Sequence, residues 1–360
     1  MHDVIRDAHS LTLAAGHLHR VGNARDRRFT LVQILGTDEH AVHTAASALA
    51  EGKLVAIPTE TVYGLAADAT NGDAVARIFE AKGRPHFNPL ICHVSDIAMA
   101  ERYAEIDPLS RRLMDAFWPG PLTFVLPLKP DAGIHPLVAA GLDTIALRMP
   151  RGVAGKIIAA LDRPLAAPSA NTSGKISGTS AKAVADDLGQ KIALILDSGP
   201  SEVGLESTIV KVQGDAVLLL RPGGLAAEDI EAVIGNKLER IDQRAAIQAP
   251  GMMASHYAPS AIVRLNVHEV REGEALLAFG PERARGAELA ATSLNLSETG
   301  NLREAAANLF DFMKRLDGSV SAVIAVEPIP FNGLGEAIND RLVRAAAPRA
   351  LSTDEMDQIK

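Results

Sequence analysis

The segment Pro58-Thr-Glu-Thr-Val-Tyr-Gly-Leu65 sets two threonine hydroxyls, a carboxylate and a phenol directly behind the apolar run Leu54 to Ile57. A short apolar run of that kind reads as a buried strand. The polar groups then leave its carboxyl end, where open α/β sheets place ligands, and hydroxyls there can donate to a carboxylate or a phosphate. A polar turn without a ligand is the plainer alternative. Further on, Lys82 and Arg84 flank Gly83, and Pro85 keeps the helix from continuing. Cations at a helix C-terminus also satisfy its dipole, so capping alone would account for them. Yet Asn88 and Pro89 follow at once. Lysine, arginine and an amide on one proline-stiffened loop suit a polyphosphate better than a cap requires.

Arg148 ends the apolar run that begins at Thr144. A buried strand ending in arginine must find a partner for a charge it cannot lose, either a substrate carboxylate held by two N–H groups or an internal Asp or Glu. His93 stands alone in the apolar run Leu90 to Val94, where a satisfied core histidine and a ligand are open alternatives. Ala167-Pro-Ser-Ala-Asn-Thr-Ser-Gly174 and Ser177-Gly-Thr179 form a small, hydroxyl-rich loop that lacks the Walker spacing of Gly, Lys and Ser/Thr. Glu206-Ser-Thr208 opens another strand, and Arg221-Pro-Gly-Gly224 closes the next. Strand ends decorated with Thr, Ser, Asn or Arg, without a metal-ligand cluster or a Ser/His/Asp spacing, position anions and disperse charge, as nucleotide chemistry requires.

Positioning these groups requires a sheet. Short β-type runs at 54–58, 90–94, 122–128, 145–149, 192–196, 208–212 and 217–220 alternate with amphipathic helices. The clearest helix runs from Asp73, placed to cap it, to Lys82, with Ala74, Val75, Ile78 and Phe79 on one face. This alternation predicts an α/β fold, a twisted open sheet covered by helices, over residues 31–235. Residues 236–260 mix charge, Ala, Pro and Gly without an apolar period and read as a linker. Residues 261–360 return to strands and helices and read as a smaller Rossmann-like α/β module. Its Ala278-Phe-Gly280 lacks the further glycines of a dinucleotide fingerprint, so it is expected to hold the linker rather than a cofactor. Residues 1–30 mix Arg and Asp without the apolar stretch of a secretory signal and read as a flexible extension.

Composition narrows the class. With 360 residues, 47% hydrophobic and 22% charged, the chain has the profile of a globular protein of two domains. No apolar run reaches the roughly 18 residues of a membrane-spanning helix, which predicts a soluble, cytoplasmic protein with no membrane partner. The single cysteine, Cys92, cannot form an internal disulfide and lies in an apolar run as a packing residue. A net charge of -8 argues against a surface that grips nucleic acid throughout.

Taken in order, the motifs resemble those of the YrdC-like family in its two-domain form. Pro58-Thr-Glu-Thr-Val-Tyr-Gly64, Lys82-Gly-Arg-Pro85, Asn88-Pro-Leu90, Trp118-Pro-Gly-Pro-Leu-Thr123, Pro168-Ser-Ala-Asn171, Ser207-Thr-Ile-Val210 and Arg221-Pro-Gly223 match the catalytic domain. Gly251-Met-Met-Ala-Ser-His-Tyr-Ala-Pro259 matches the linker, and Gly333-Leu-Gly-Glu-Ala-Ile338 with Asp340-Arg-Leu342 matches the end of the accessory domain. The resemblance implies that ATP, L-threonine and bicarbonate become threonylcarbamoyl-AMP and pyrophosphate, with Mg²⁺ bound mainly through the ATP phosphates and no protein metal cage. It further implies a separate tRNA threonylcarbamoyl transferase downstream, acting on the adenosine beside the anticodon. By the same resemblance, Thr61, His93, Arg148 and Ser207 contact threonine, and Ser169 serves that ligand or the nucleotide. Arg84, Asn88, Thr144, Asn171, Ser177 and Arg221 contact ATP, Tyr257 folds back over it, and Lys82 and Arg84 offset the charge that develops on the phosphates. The sequence departs from the family at Lys314, where an arginine is expected. A YrdC-like chain of hydrogenase maturation would bring zinc-finger and acylphosphatase-like segments, which this sequence lacks. The alternative from another class is an RNA-binding YrdC-like module without turnover, with Lys82, Arg84, Arg148, Arg151, Lys175 and Arg221 along a concave surface. Against it stand three Tyr and one Trp that do not interleave with the cations, leaving at most a weak RNA contact.

Overall fold

The computed structural model describes residues 32–241 and 256–348. The extension read at 1–30 and the linker segment 242–255 lie outside the described residues. In chain order the strands are β1 (Gln33–Leu35), β2 (Val55–Ile57), β3 (Gly64–Asp68), β4 (Ile91–His93), β5 (Leu122–Pro127), β6 (Thr144–Arg148), β7 (Leu165–Ala166), β8 (Leu194–Leu196), β9 (Thr208–Gln213), β10 (Ala216–Arg221), β11 (Glu239–Arg240), β12 (Ile262–Arg264), β13 (Ala275–Ala278), β14 (Thr292–Asn295) and β15 (Val323–Val326). The first eleven form one mixed sheet in the order β1-β8-β2-β3-β7-β4-β6-β5-β9-β10-β11. The last four form a separate parallel sheet in the order β12-β15-β13-β14.

The apolar runs become buried strands because every backbone N–H and C=O taken from water needs a partner, which the ladder supplies. The helices lie across them. Helix Gly72–Lys82 buries Ala74, Val75, Ile78 and Phe79, as its period predicts. Its cap differs from the expectation: Asn71, not Asp73, accepts the N–H of Ala74, because a capping side chain must stand one residue before the helix and Asp73 is already inside its first turn. The segment read as linker also begins differently. Glu239–Arg240 pairs in parallel with β10, so the large sheet gains an edge strand inside it.

The turn after β2 is sewn to the small-residue loop. The Leu65 N–H donates to Pro168, that of Ala170 to Tyr63, and that of Tyr63 to Gly178. A second apolar core lies between the sheets, where Val62, Ile176 and Leu205 pack with Tyr257, Leu309 and Phe310. In the smaller sheet the strand ends are internally satisfied. The buried Glu327 carboxylate accepts the N–H groups of Phe279 and Ala284 and pairs with Arg283 at 2.5 Å.

Candidate active site

Sheet register builds one corner of the site. β4 and β6 are parallel neighbours with His93 opposite Arg148, so both side chains arrive at the same strand ends. Arg148 is buried, and its Nε donates to the Gly120 carbonyl at 3.1 Å. Its Nη2 lies 2.8 Å from Glu60 Oε2, but in a direction that makes no hydrogen bond. Of the two partners anticipated from sequence, an internal acid is therefore present, and it leaves capacity over. Arg148 Nη2, Glu60 Oε1 and His93 Nδ1 are buried without a hydrogen-bond partner among the described residues. Groups left in that state are costly unless a ligand or water completes them. His93 is held neutral, its pKa pushed well below the usual value by burial first and by Arg148 second. Thr61 shares a hydroxyl contact of 2.8 Å with Thr59, and Ser207 one of 2.7 Å with Thr123. A fixed guanidinium, a neutral imidazole and two hydroxyls are what the carboxylate and hydroxyl of a small amino acid need.

The facing corner is cationic. Helix Gly72–Lys82 ends where Gly83 takes the left-handed conformation at φ 61°, turning the chain into the Arg84–Pro89 loop. Lys82 is buried, and its ammonium donates to the Ser169 and Asn171 carbonyls at 2.6 and 2.5 Å, fastening the helix to the small-residue loop. Arg84 holds its own loop closed through the carbonyls of Asn88 at 3.2 Å and Pro89 at 2.7 Å. Arg221, at the end of β10, donates to the Ser207 carbonyl at 2.8 Å.

Burial, reinforced by the charge of Arg84, brings the Lys82 pKa down to about 7. Between about 7 and the ordinary lysine value, the unfolded chain holds a proton that the folded protein does not. Stability therefore rises with pH across that window. Lys82→Met is expected to flatten this part of the stability curve, read by denaturant titration at stepped pH, whereas an unchanged slope would mean that the ammonium stays charged when folded.

Glu206 went unassigned in the sequence reading, and it organises the site. It is the one carboxylate lining the cavity among the described residues. Its Oε1 accepts the Ser177 hydroxyl at 2.6 Å, and its Oε2 accepts Nε of Arg341 at 2.9 Å. Burial opposes its charge, but Arg341, Arg221 and Ser177 outweigh burial and hold its pKa down at about 2. His256 and Tyr257 close the cavity. Burial keeps His256 neutral, with a pKa of about 3. The Tyr257 ring stacks on Phe310 at 5.4 Å, and the Arg341 guanidinium lies 5.1 Å from its centre. Its backbone is left-handed at φ 62°, a conformation costing a non-glycine residue about 1–2 kcal/mol, which this packing offsets.

Of the residues singled out from sequence, Thr61, Lys82, Arg84, His93, Arg148, Ser169, Ser207, Arg221 and Tyr257 line a single cavity. Asn88, Thr144, Asn171 and Ser177 are not part of its lining. Asn88 and Asn171 are buried behind it in the loops that Arg84 and Lys82 fasten, Ser177 stands against Glu206, and Thr144 begins β6. Glu60, Glu206, His256 and Arg341 were missed as site residues. Arg341 had a legible signal, since it falls on the apolar stripe of Ile338, Leu342 and Ala345 in helix Leu334–Ala346, where a charge must find a partner. Among the described residues no group of three or more His, Cys, Asp or Glu is placed to hold a metal ion.

These features define a two-unit α/β protein that gathers cations and hydroxyls at sheet ends under a tyrosine. Residues 47–223 match the Sua5_yciO_yrdC family model, described as Telomere recombination, and residues 225–347 match the model described as Threonylcarbamoyl-AMP synthase, C-terminal domain. The chain belongs to the YrdC-like family in its two-domain form. It is 42% identical to the threonylcarbamoyl-AMP synthase of Bacillus subtilis, over 88% of this chain and 96% of that one. It is also 42% identical to the enzyme of that name from Pyrococcus abyssi, over 87% and 96%. The crystal structure of P. abyssi Sua5 complexed with L-threonine superposes with a TM-score of 0.80 at 39% identity, covering 87% of this chain and 97% of that one.

Proposed function

We propose that this protein makes threonylcarbamoyl-AMP and pyrophosphate from L-threonine, bicarbonate and ATP. The observation that carries this reading is the buried corner in which Arg148 Nη2 and His93 Nδ1 have no hydrogen-bond partner among the described residues, facing the cations Lys82, Arg84 and Arg221 across one cavity. Arg148 receives the threonine carboxylate, while Thr61, His93, Ser207 and Ser169 orient the rest of that substrate. Neutral His93 offers Nδ1 as an acceptor, and burial of this corner disfavours the ammonium form that cannot attack. Net bond changes join the threonine nitrogen to the bicarbonate carbon and a carbamate oxygen to the α-phosphorus, releasing water and pyrophosphate. Lys82, Arg84 and Arg221 stabilise the charge that builds on the phosphates. Arg84, Asn88, Thr144, Asn171, Ser177, Arg221 and Tyr257 are assigned to the nucleotide side. Mg²⁺, if it accompanies ATP, would be held mainly through the phosphates and would neutralise their charge, because Glu206, the lining carboxylate, already accepts hydrogen bonds at both oxygens.

The cavity measures about 50 Å³, room for a few water molecules and far below the several hundred Å³ of a nucleotide site. Admission of ATP therefore requires His256 and Tyr257 to move aside, and residues 236–260 are assigned as the linker between a catalytic unit at 31–235 and an accessory unit at 261–360. The product fits a cytoplasmic consumer, a tRNA threonylcarbamoyl transferase. The direct test is pyrophosphate release from ATP and Mg²⁺ by the purified protein. Release is expected only when L-threonine and bicarbonate are both present. Release indifferent to threonine, or tight RNA binding with a steep salt slope and no turnover, would replace this reading with a binding module.

A further inference from the structure

The accessory unit sends one fully buried side chain into the catalytic unit. Arg341, on helix Leu334–Ala346, is 0% exposed, and its contacts cross between the units. Nε donates to Glu206 at 2.9 Å, and Nη1 donates to the Pro222 carbonyl at 3.0 Å and to Asp340 at 2.6 Å. Nη2 is buried with no hydrogen-bond partner among the described residues. One planar guanidinium thus grips the carboxylate that holds Ser177 and the turn that follows Arg221.

We infer that Arg341 is a positioning residue for the nucleotide subsite, acting through Glu206 on Ser177 and through Pro222 on Arg221. Fixed by Arg341, Glu206 accepts the hydrogen bond that the Ser177 hydroxyl donates, so the lone pairs of Ser177 Oγ remain as acceptors for a nucleotide hydroxyl or amine. The Pro222 contact sets where the Arg221 guanidinium points. Donors fixed in one plane on separate nitrogens, as this geometry needs, are available to arginine and not to lysine. A stability role alone is the competing account, because a buried pair broken on one side is destabilising whatever it lies beside. This inference rests on the assignment of Ser177 and Arg221 to ATP.

The two accounts separate when stability and affinity are measured on the same variants of the full chain. Arg341→Met strands the Glu206 carboxylate and is expected to lower Tm. Arg341→Met combined with Glu206→Gln removes both charges and is expected to recover most of that loss. ATP affinity by calorimetry should fall about tenfold or more in both variants, with Arg341→Lys between them and wild type and L-threonine affinity changed less than about twofold. ATP affinity that returns together with Tm in the double variant would overturn the inference, as would equal losses for ATP and threonine. Because calorimetry needs no turnover, a wild-type protein that binds ATP without threonine-dependent pyrophosphate release would sink the synthase reading and leave the Arg341 result readable on its own.

Discussion

An Arg148→Met protein is expected to need roughly 100-fold more L-threonine for half-maximal pyrophosphate release, because a lost charge-assisted contact of about 3 kcal/mol is worth some two factors of ten. The substitution also strands Glu60, whose Oε2 lies 2.8 Å from the guanidinium at a side-chain exposure of 3%. Breaking such a pair costs about 3–5 kcal/mol, so Tm should fall as well. Adding Glu60→Gln removes the stranded charge and should restore Tm while leaving the threonine requirement high. The ATP requirement should move by less than about threefold, since the nucleotide side has its own cations. Wild-type threonine kinetics in the double variant would take Arg148 out of the site.

Gly204→Ala should be the most damaging methyl group between the two units. Gly204 sits at φ +74°, and a Cβ there would lie 2.4 Å from the Ala306 carbonyl oxygen and 2.5 Å from the Ala307 Cα. Those atoms are backbone of helix Leu302–Asp317 and cannot rotate away. The left-handed backbone costs about 1–2 kcal/mol and the overpacking about 1–3 more. Gly214 has a similar φ of +60° with open space around it, so Gly214→Ala carries the backbone cost alone. Thermal unfolding of the two variants should differ by the wedge, with Gly204→Ala lower by several degrees. Equal Tm values would mean that the units separate freely and that the second core contributes little.

The elements legible in the sequence were those with dense apolar runs. β2, β4, β5 and β8 fall within expected segments, and β6, β9 and β10 overrun theirs by one residue at one or both ends. β3 was hidden because Gly64-Leu-Ala-Ala-Asp68 has weak strand propensity and borders a motif already read as a turn. β7 has only two residues, and β1 is a three-residue edge, too short for any period to show. The cationic and hydroxyl strand ends were legible because each stood next to such a run. The acids that organise them were not. Glu206 finds Arg341 across 135 residues of chain, and Glu60 meets Arg148 only because the turn after β2 and the end of β6 come together in the folded sheet. Neither pairing leaves a trace in local spacing.

The Glu327 carboxylate occupies the rim at which a parallel sheet otherwise meets its ligand, filling the cradle made by Phe279, Ala284 and Arg283. That rim thereby carries its own anion, bound by the chain's own N–H groups and guanidinium. A change at Arg341 in helix Leu334–Ala346 is felt at once by the catalytic unit, because that side chain holds Glu206 and Pro222 there.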